Sequence, residues 1–203
     1  MEGGHALPKK KSVKRSAEKF LTETENVRRF VEGASFREAP DTFESWTHDL
    51  AVIRAYAAFE NLMLDALVGA VNNNTETISS ILGVKFPRHL TDKVCEYLVT
   101  GGDYFDFKGR DGLIKLVRKF VPRDHYLLRI TRNKSYRDSL DRLSSMRNFA
   151  AHRSEQAKAA ALKAANQERM SSAGAWLKKH NRLGHMLDDL ERLAEELKQE
   201  APY

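Results

Sequence analysis

One arginine, one asparagine and one histidine stand together at the end of a helix-forming stretch, in Arg147-Asn148-Phe149-Ala150-Ala151-His152. Such a set can work on a phosphodiester without a metal. A guanidinium holds phosphate oxygens and stabilises the extra negative charge of a pentacoordinate phosphorus. An imidazole can take a proton from a ribose 2′-hydroxyl, or give one to the departing 5′-oxygen, at neutral pH. The reaction would cleave single-stranded RNA to a 2′,3′-cyclic phosphate and leave DNA, which lacks the nucleophile, untouched. Asn148 is expected to orient His152 or to bind the phosphate. One histidine cannot easily serve as acid and base at once, which favours a symmetric dimer with two copies of the set facing one cleft.

The elements that must position these groups are helical. Tyr136, Leu140, Leu143, Arg147 and Ala150 recur at steps of four and three and form one stripe, so the guanidinium falls on an otherwise apolar face. Asn148 and His152, four apart, share a face. Arg147 and His152, five apart, are separated by about 140° on an unbroken helix. They converge only if the helix ends or bends between Ala150 and Ser154, if the arginine stem wraps round, or if a second copy completes the site. Upstream, Asp41 and Glu44 read as a helix start, followed by the apolar series Trp46, Leu50, Ile53, Ala57, Leu64, Leu67 and Val71. Glu60 and Asn61 interrupt that series. A charge beside an apolar stripe is costly unless paired, so Glu60 is expected to face Arg147 or a backbone group, or else to reach solvent from the stripe's edge.

The Arg147-to-His152 stretch resembles the signature of the HEPN superfamily (higher eukaryotes and prokaryotes nucleotide-binding domains): an arginine, a polar residue, then a histidine after a gap of four to six. The resemblance covers roughly residues 41–198. It implies an all-α bundle with an up-and-down core and extra short helices. It also implies a metal-independent endoribonuclease, active as a homodimer and serving as a toxin or phage-defence effector, in some cases with an antitoxin or regulatory protein as partner. Some relatives carry a tyrosine two residues after the histidine that a nucleotidyltransferase modifies; that position here is Ser154. Other relatives have lost activity, so the alternative is a non-catalytic helical module that binds RNA, nucleotide or protein. A purely structural adaptor is the third reading.

Composition narrows the choice. The chain of 203 residues carries a net charge of +6 and a single cysteine, Cys95, which excludes an internal disulfide and cannot alone build a zinc site. No apolar run is long enough to cross a bilayer and no signal-peptide core is visible, so a cytoplasmic protein without membrane contact is expected. Between Lys108 and Arg153 there are 13 Lys and Arg against four Asp, a field that draws in polyanions. Arg137, Arg142, Arg153 and Lys134 are the expected RNA contacts. No glycine-rich phosphate loop, nucleophile elbow or metal-spaced histidine pair is present, and no metal or cofactor is expected.

The domain reading is a disordered basic arm over residues 1–15, touching nucleic acid or merely solvated, and one helical domain over 16–200. The aromatics Tyr104, Phe105 and Phe107 fall on a loop from Asp103 to Gly112, where they plug the core or stack bases. One long helix is expected from about Ala175 to Gln199, with an acidic outer face that pairs with the basic segment or meets solvent.

Overall fold

In the computed structural model, which describes residues 11–33 and 40–202, every regular element is helical. Four long helices form the core: α1 (Val13–Glu32), α2 (Asp41–Asn73), α7 (Arg137–His152) and α10 (Arg182–Glu200). Between them come α3 (Glu76–Leu82), α4 (Asp92–Thr100), α5 (Gly109–Val117) and α6 (Tyr126–Arg132), then α8 (Glu155–Ala165) and α9 (Ala173–Leu177). Two single 3-10 turns lead into α7 and α10, at Lys134–Tyr136 and Lys179–Asn181.

The four long helices pack in a ring, α1 on α2, α2 on α7, α7 on α10 and α10 on α1. Their bonded pairs make each neighbour antiparallel. Ser16 and Glu23 of α1 meet Asp65 and Arg54 of α2, and Arg28 and Glu18 meet Glu191 and Lys198 of α10. Inside the ring, Leu62, Met63, Leu67, Leu140, Leu143 and Met146 are fully buried. Each such side chain contributes roughly 1.5–3 kcal/mol relative to exposure. The up-and-down core with short helices added is therefore present.

Several expectations change at the level of elements. The arm of residues 1–15 ends earlier than expected: Ser12 caps α1 by accepting from the Arg15 N–H at 3.3 Å, so Val13, Lys14 and Arg15 belong to the helix. Residues 1–10 lie outside the described residues. Pro40, not Asp41, occupies the cap position of α2. The helix α5 starts at Gly109 and shortens the expected loop. Gly109 sits at φ +60, and a Cβ there would lie 2.7 Å from the Asp141 carboxylate, which accepts the Arg110 N–H at 2.8 Å.

On α2 the inward line is one step round from the expected stripe. Ser45, Val52, Tyr56, Phe59, Met63 and Ala66 are buried, while Trp46 and Leu50 are 48 % and 59 % exposed. The polar residues of this turn find partners inside: Thr47 donates to the Phe43 carbonyl at 2.9 Å, and Asp49 accepts the Gly174 N–H at 2.6 Å. Periodicity counted apolar residues and missed that small and satisfied polar groups let α9 approach.

The single C-terminal helix is broken. His180 and Asn181 both adopt left-handed backbone, at φ 54 and φ 50, and separate α9 from α10. The acidic face of α10 is used internally: Arg28 bonds Asp188 and Glu191, Ser139 donates to Asp189, Tyr136 donates to Glu196, and Arg129 pairs with Glu200.

Candidate active site

Local structure at the end of α7 resolves the angular problem. The helix stops at His152, because Arg153 turns to left-handed backbone at φ 48 while its N–H still bonds the Phe149 carbonyl at 3.1 Å. Ser154 then caps α8, accepting the Ala157 N–H at 3.2 Å. Two residues thus separate α7 from α8, and the helices pack against each other with a groove along their seam.

Arg147, Asn148 and His152 all line this groove, a depression of about 1000 Å³ closed on one side by Asp106, Phe107 and Lys108. The arginine is held at its root. Its guanidinium lies 4.6 Å from the centre of the Tyr56 ring and donates from Nη1 to Asn148 Oδ1 at 2.7 Å. Asn148 therefore orients Arg147, where the sequence reading gave it to His152 or to phosphate. The His152 side chain is exposed, and among the described residues no hydrogen bond or ion pair holds its ring.

Tyr56 joins the arginine to the loop before α5. Its hydroxyl donates to Asp106 at 2.8 Å and to the Phe107 carbonyl at 3.1 Å, and its ring stacks on Phe107 at 5.3 Å. Burial and these acceptors push the phenol pKa up, so it stays a donor at any ordinary pH. Phe107 is core, Phe105 is half-buried, and Tyr104 is almost wholly exposed.

Glu60 is half-buried one turn beyond Tyr56, close enough for its charge to act on Arg147. Burial pushes its carboxyl up to about 6, and attraction to Arg147 offsets only part of that. The ordinary value is 4.5, so the folded state holds this proton more tightly than the unfolded chain. The ionised carboxylate therefore costs stability above pH 6, and the cost vanishes as pH falls through 6 towards 4.5. Replacing Glu60 with Gln is expected to raise the thermal midpoint at neutral pH, with the gap to wild type closing by pH 4.5. A gap independent of pH would show that the carboxylate is well solvated.

The other expected residues scatter. Asn61 is exposed and lines shallow depressions on the flanks of α2, away from the groove. Arg137 does line the groove. Arg142 does not reach it: Nε donates to the Ala164 carbonyl at 3.3 Å, Nη2 to Asp138 at 3.2 Å, and the guanidinium lies 5.9 Å from the Trp176 ring. Arg153 is drawn to the buried Asp49 at 3.5 Å, and this pair anchors the end of α7 to α2. Lys134 is exposed on the turn before α7 and is not a groove residue.

Sequence reasoning missed Lys108, Lys163, Ser145 and Tyr56. Ser145 could have been found, since Asp141, Ser145, Asn148 and His152 follow at steps of four, three and four. Tyr56 could have been found four residues before Glu60. Lys108 and Lys163 come from other elements and left no local signal.

No group of three or more His, Cys, Asp or Glu suited to a metal ion occurs among the described residues, and none of their helices is long and apolar enough to cross a membrane. Comparison with family models, with curated proteins and with solved structures gives no match, so the functional reading rests on the residues of the groove itself.

Proposed function

We propose that the protein is a metal-independent endoribonuclease of HEPN type that acts on single-stranded RNA as a homodimer. The observation that carries this reading is the meeting in one groove of an anchored guanidinium, Arg147, and an unengaged imidazole, His152. The phosphate of the scissile bond sits against Arg147. The 2′-oxygen attacks phosphorus, one His152 takes its proton, and the 5′-oxygen leaves with a proton from the second copy's histidine. The products are a 2′,3′-cyclic phosphate and a 5′-hydroxyl. Lys108, Arg137 and Lys163 along the groove supply cations for the flanking backbone.

Support for the second copy comes from α2. Phe43, Trp46 and Leu50 stand exposed along one side of the helix, and the adjacent Asp49 holds Arg153 at the end of the catalytic helix. An apolar face beside an incomplete site fits a symmetric partner.

Purified protein incubated with single-stranded RNA in excess chelator tests the reading. Products ending in 2′,3′-cyclic phosphate, and none when the substrate carries 2′-deoxyribose throughout, are the expected result. RNA that binds and stays intact would instead favour a non-catalytic binding module using the same groove.

A further inference from the structure

We propose that the depression between the end of α8 and the start of α10 is a second polyanion site, which takes the phosphodiester backbone of bound RNA away from the cleavage groove. The identity of its ligand rests on the ribonuclease reading; its charge does not. The depression holds about 600 Å³ and is lined by Arg169, Lys179, His180 and Arg182 beside Gln167, Ser171 and Trp176. Among the described residues no carboxylate lines it, and no ion pair engages Arg169, Lys179 or His180. Glu168 lies between two lining residues in the chain but is not itself part of the wall.

Most cationic clusters on this molecule are neutralised by neighbours, as Arg28, Arg129 and Lys178 are. This one is placed where positive charge is least welcome. The 19-residue helix α10 begins here, with no side-chain cap and no acid in its first turn. Its macrodipole already puts partial positive charge at that end, so basic side chains there oppose the usual preference for acids. Consecutive left-handed residues, His180 and Asn181, bring the chain round to this arrangement. An anion resolves both conflicts together: it meets the side-chain cations and the uncapped N–H groups at once.

An independent feature points the same way. Trp176 lines the depression at 8 % exposed, and its indole N–H is buried without an acceptor. A ligand oxygen would supply one. The indole ring is flanked by Arg182 at 4.5 Å and Arg142 at 5.9 Å, so it has no free face on which a base could stack. Phosphate chemistry, not nucleobase recognition, therefore fits the site.

The same arrangement gives it a fixed distance from the groove. Ser154 and Gln156, at the start of α8, line the groove, and Gln167, just past its end, lines the second site. The helix has 11 residues. At 1.5 Å per residue that is about 16 Å, a separation that one strand of a few nucleotides spans.

The test uses the full chain carrying His152→Ala, which binds without turnover, with and without Arg169→Ala and Lys179→Ala together. Fluorescent RNA of about twelve nucleotides, a dinucleotide, and inorganic triphosphate are titrated over a range of salt. The double substitution is expected to weaken the long oligonucleotide about tenfold at low salt and to lower its salt slope by about 1.4, two single-strand phosphate contacts' worth. It should abolish triphosphate binding and leave the dinucleotide unchanged. The swap Arg169→Lys with Lys179→Arg should retain binding. Equal affinity for the long oligonucleotide in both proteins overturns the proposal, even if triphosphate binding is lost, because the site would then serve free polyphosphate. If RNA fails to bind the unsubstituted surface at all, the proposed function falls together with this site. Cleaved RNA whose affinity ignores Arg169 and Lys179 sinks the second site alone.

Discussion

Replacing His152 with alanine is expected to lower RNA cleavage by about 10²–10⁴-fold while changing RNA affinity by no more than about twofold. The asymmetry follows from the surroundings of the ring. His152 is exposed, closes α7 and makes no bond to its own chain among the described residues, so its loss leaves the fold in place. Surface changes of this kind stay within about 0.5 kcal/mol of wild-type stability. Arg147 behaves differently. It rests on Tyr56 and bonds Asn148, so alanine there removes a cation–π contact of about 0.5–2 kcal/mol and leaves Glu60 without its nearby cation. Rates measured by gel on a labelled oligonucleotide, beside affinity by anisotropy and midpoint by circular dichroism, separate the two residues. If His152→Ala retains wild-type cleavage, the groove is not the site of reaction.

How legible this site was depends on whether a residue's role is set by its own helix. Arg147, Asn148 and His152 were visible because spacing along α7 places them, and the stop at Arg153 was one of the ways foreseen for them to converge. Glu60 was found for the same reason: a carboxylate beside an apolar stripe needs a partner, and Arg147 is near. What sequence could not show was competition for arginines. Arg142 and Arg153 have the same composition signal as Arg137, yet one is taken by the Ala164 carbonyl, Asp138 and Trp176, and the other by Asp49. Those partners come from different parts of the chain and carry no spacing rule. The stripe on α2 failed similarly. Periodicity ranks Trp46 and Leu50 above Ser45 and Asp49, but the packing of α9 rewards small size and a satisfied carboxylate over apolar area.

Gly174 is where that packing is most exposed to a single methyl group. Gly174→Ala is expected to destabilise the protein by about 3 kcal/mol or more, at the upper end of overpacking costs. A Cβ built on Gly174 would lie 1.8 Å from the Ser45 carbonyl oxygen and 2.9 Å from the Asp49 nitrogen. Both are backbone atoms of α2, so no side chain can swing aside and the two helices must part. Parting them withdraws the Gly174 N–H from Asp49, whose carboxyl burial already holds above its ordinary range. It also exposes Trp176 and Leu177, which are now buried. The effect should reach the groove, because Asp49 is the residue that holds Arg153 at the end of α7. At about 2–4 °C per kcal/mol for a chain of this size, the thermal midpoint should fall by about 6–12 °C. Gly112→Ala is the matched control. Its Cβ would come no closer than 3.4 Å to Lys108 Cβ, within helix α5, so it should be neutral or stabilising by up to about 1 kcal/mol. Equal midpoints for the two alanine variants would mean that α9 does not dock on α2 as described, and with it the anchoring of His152 through Asp49 and Arg153 would go.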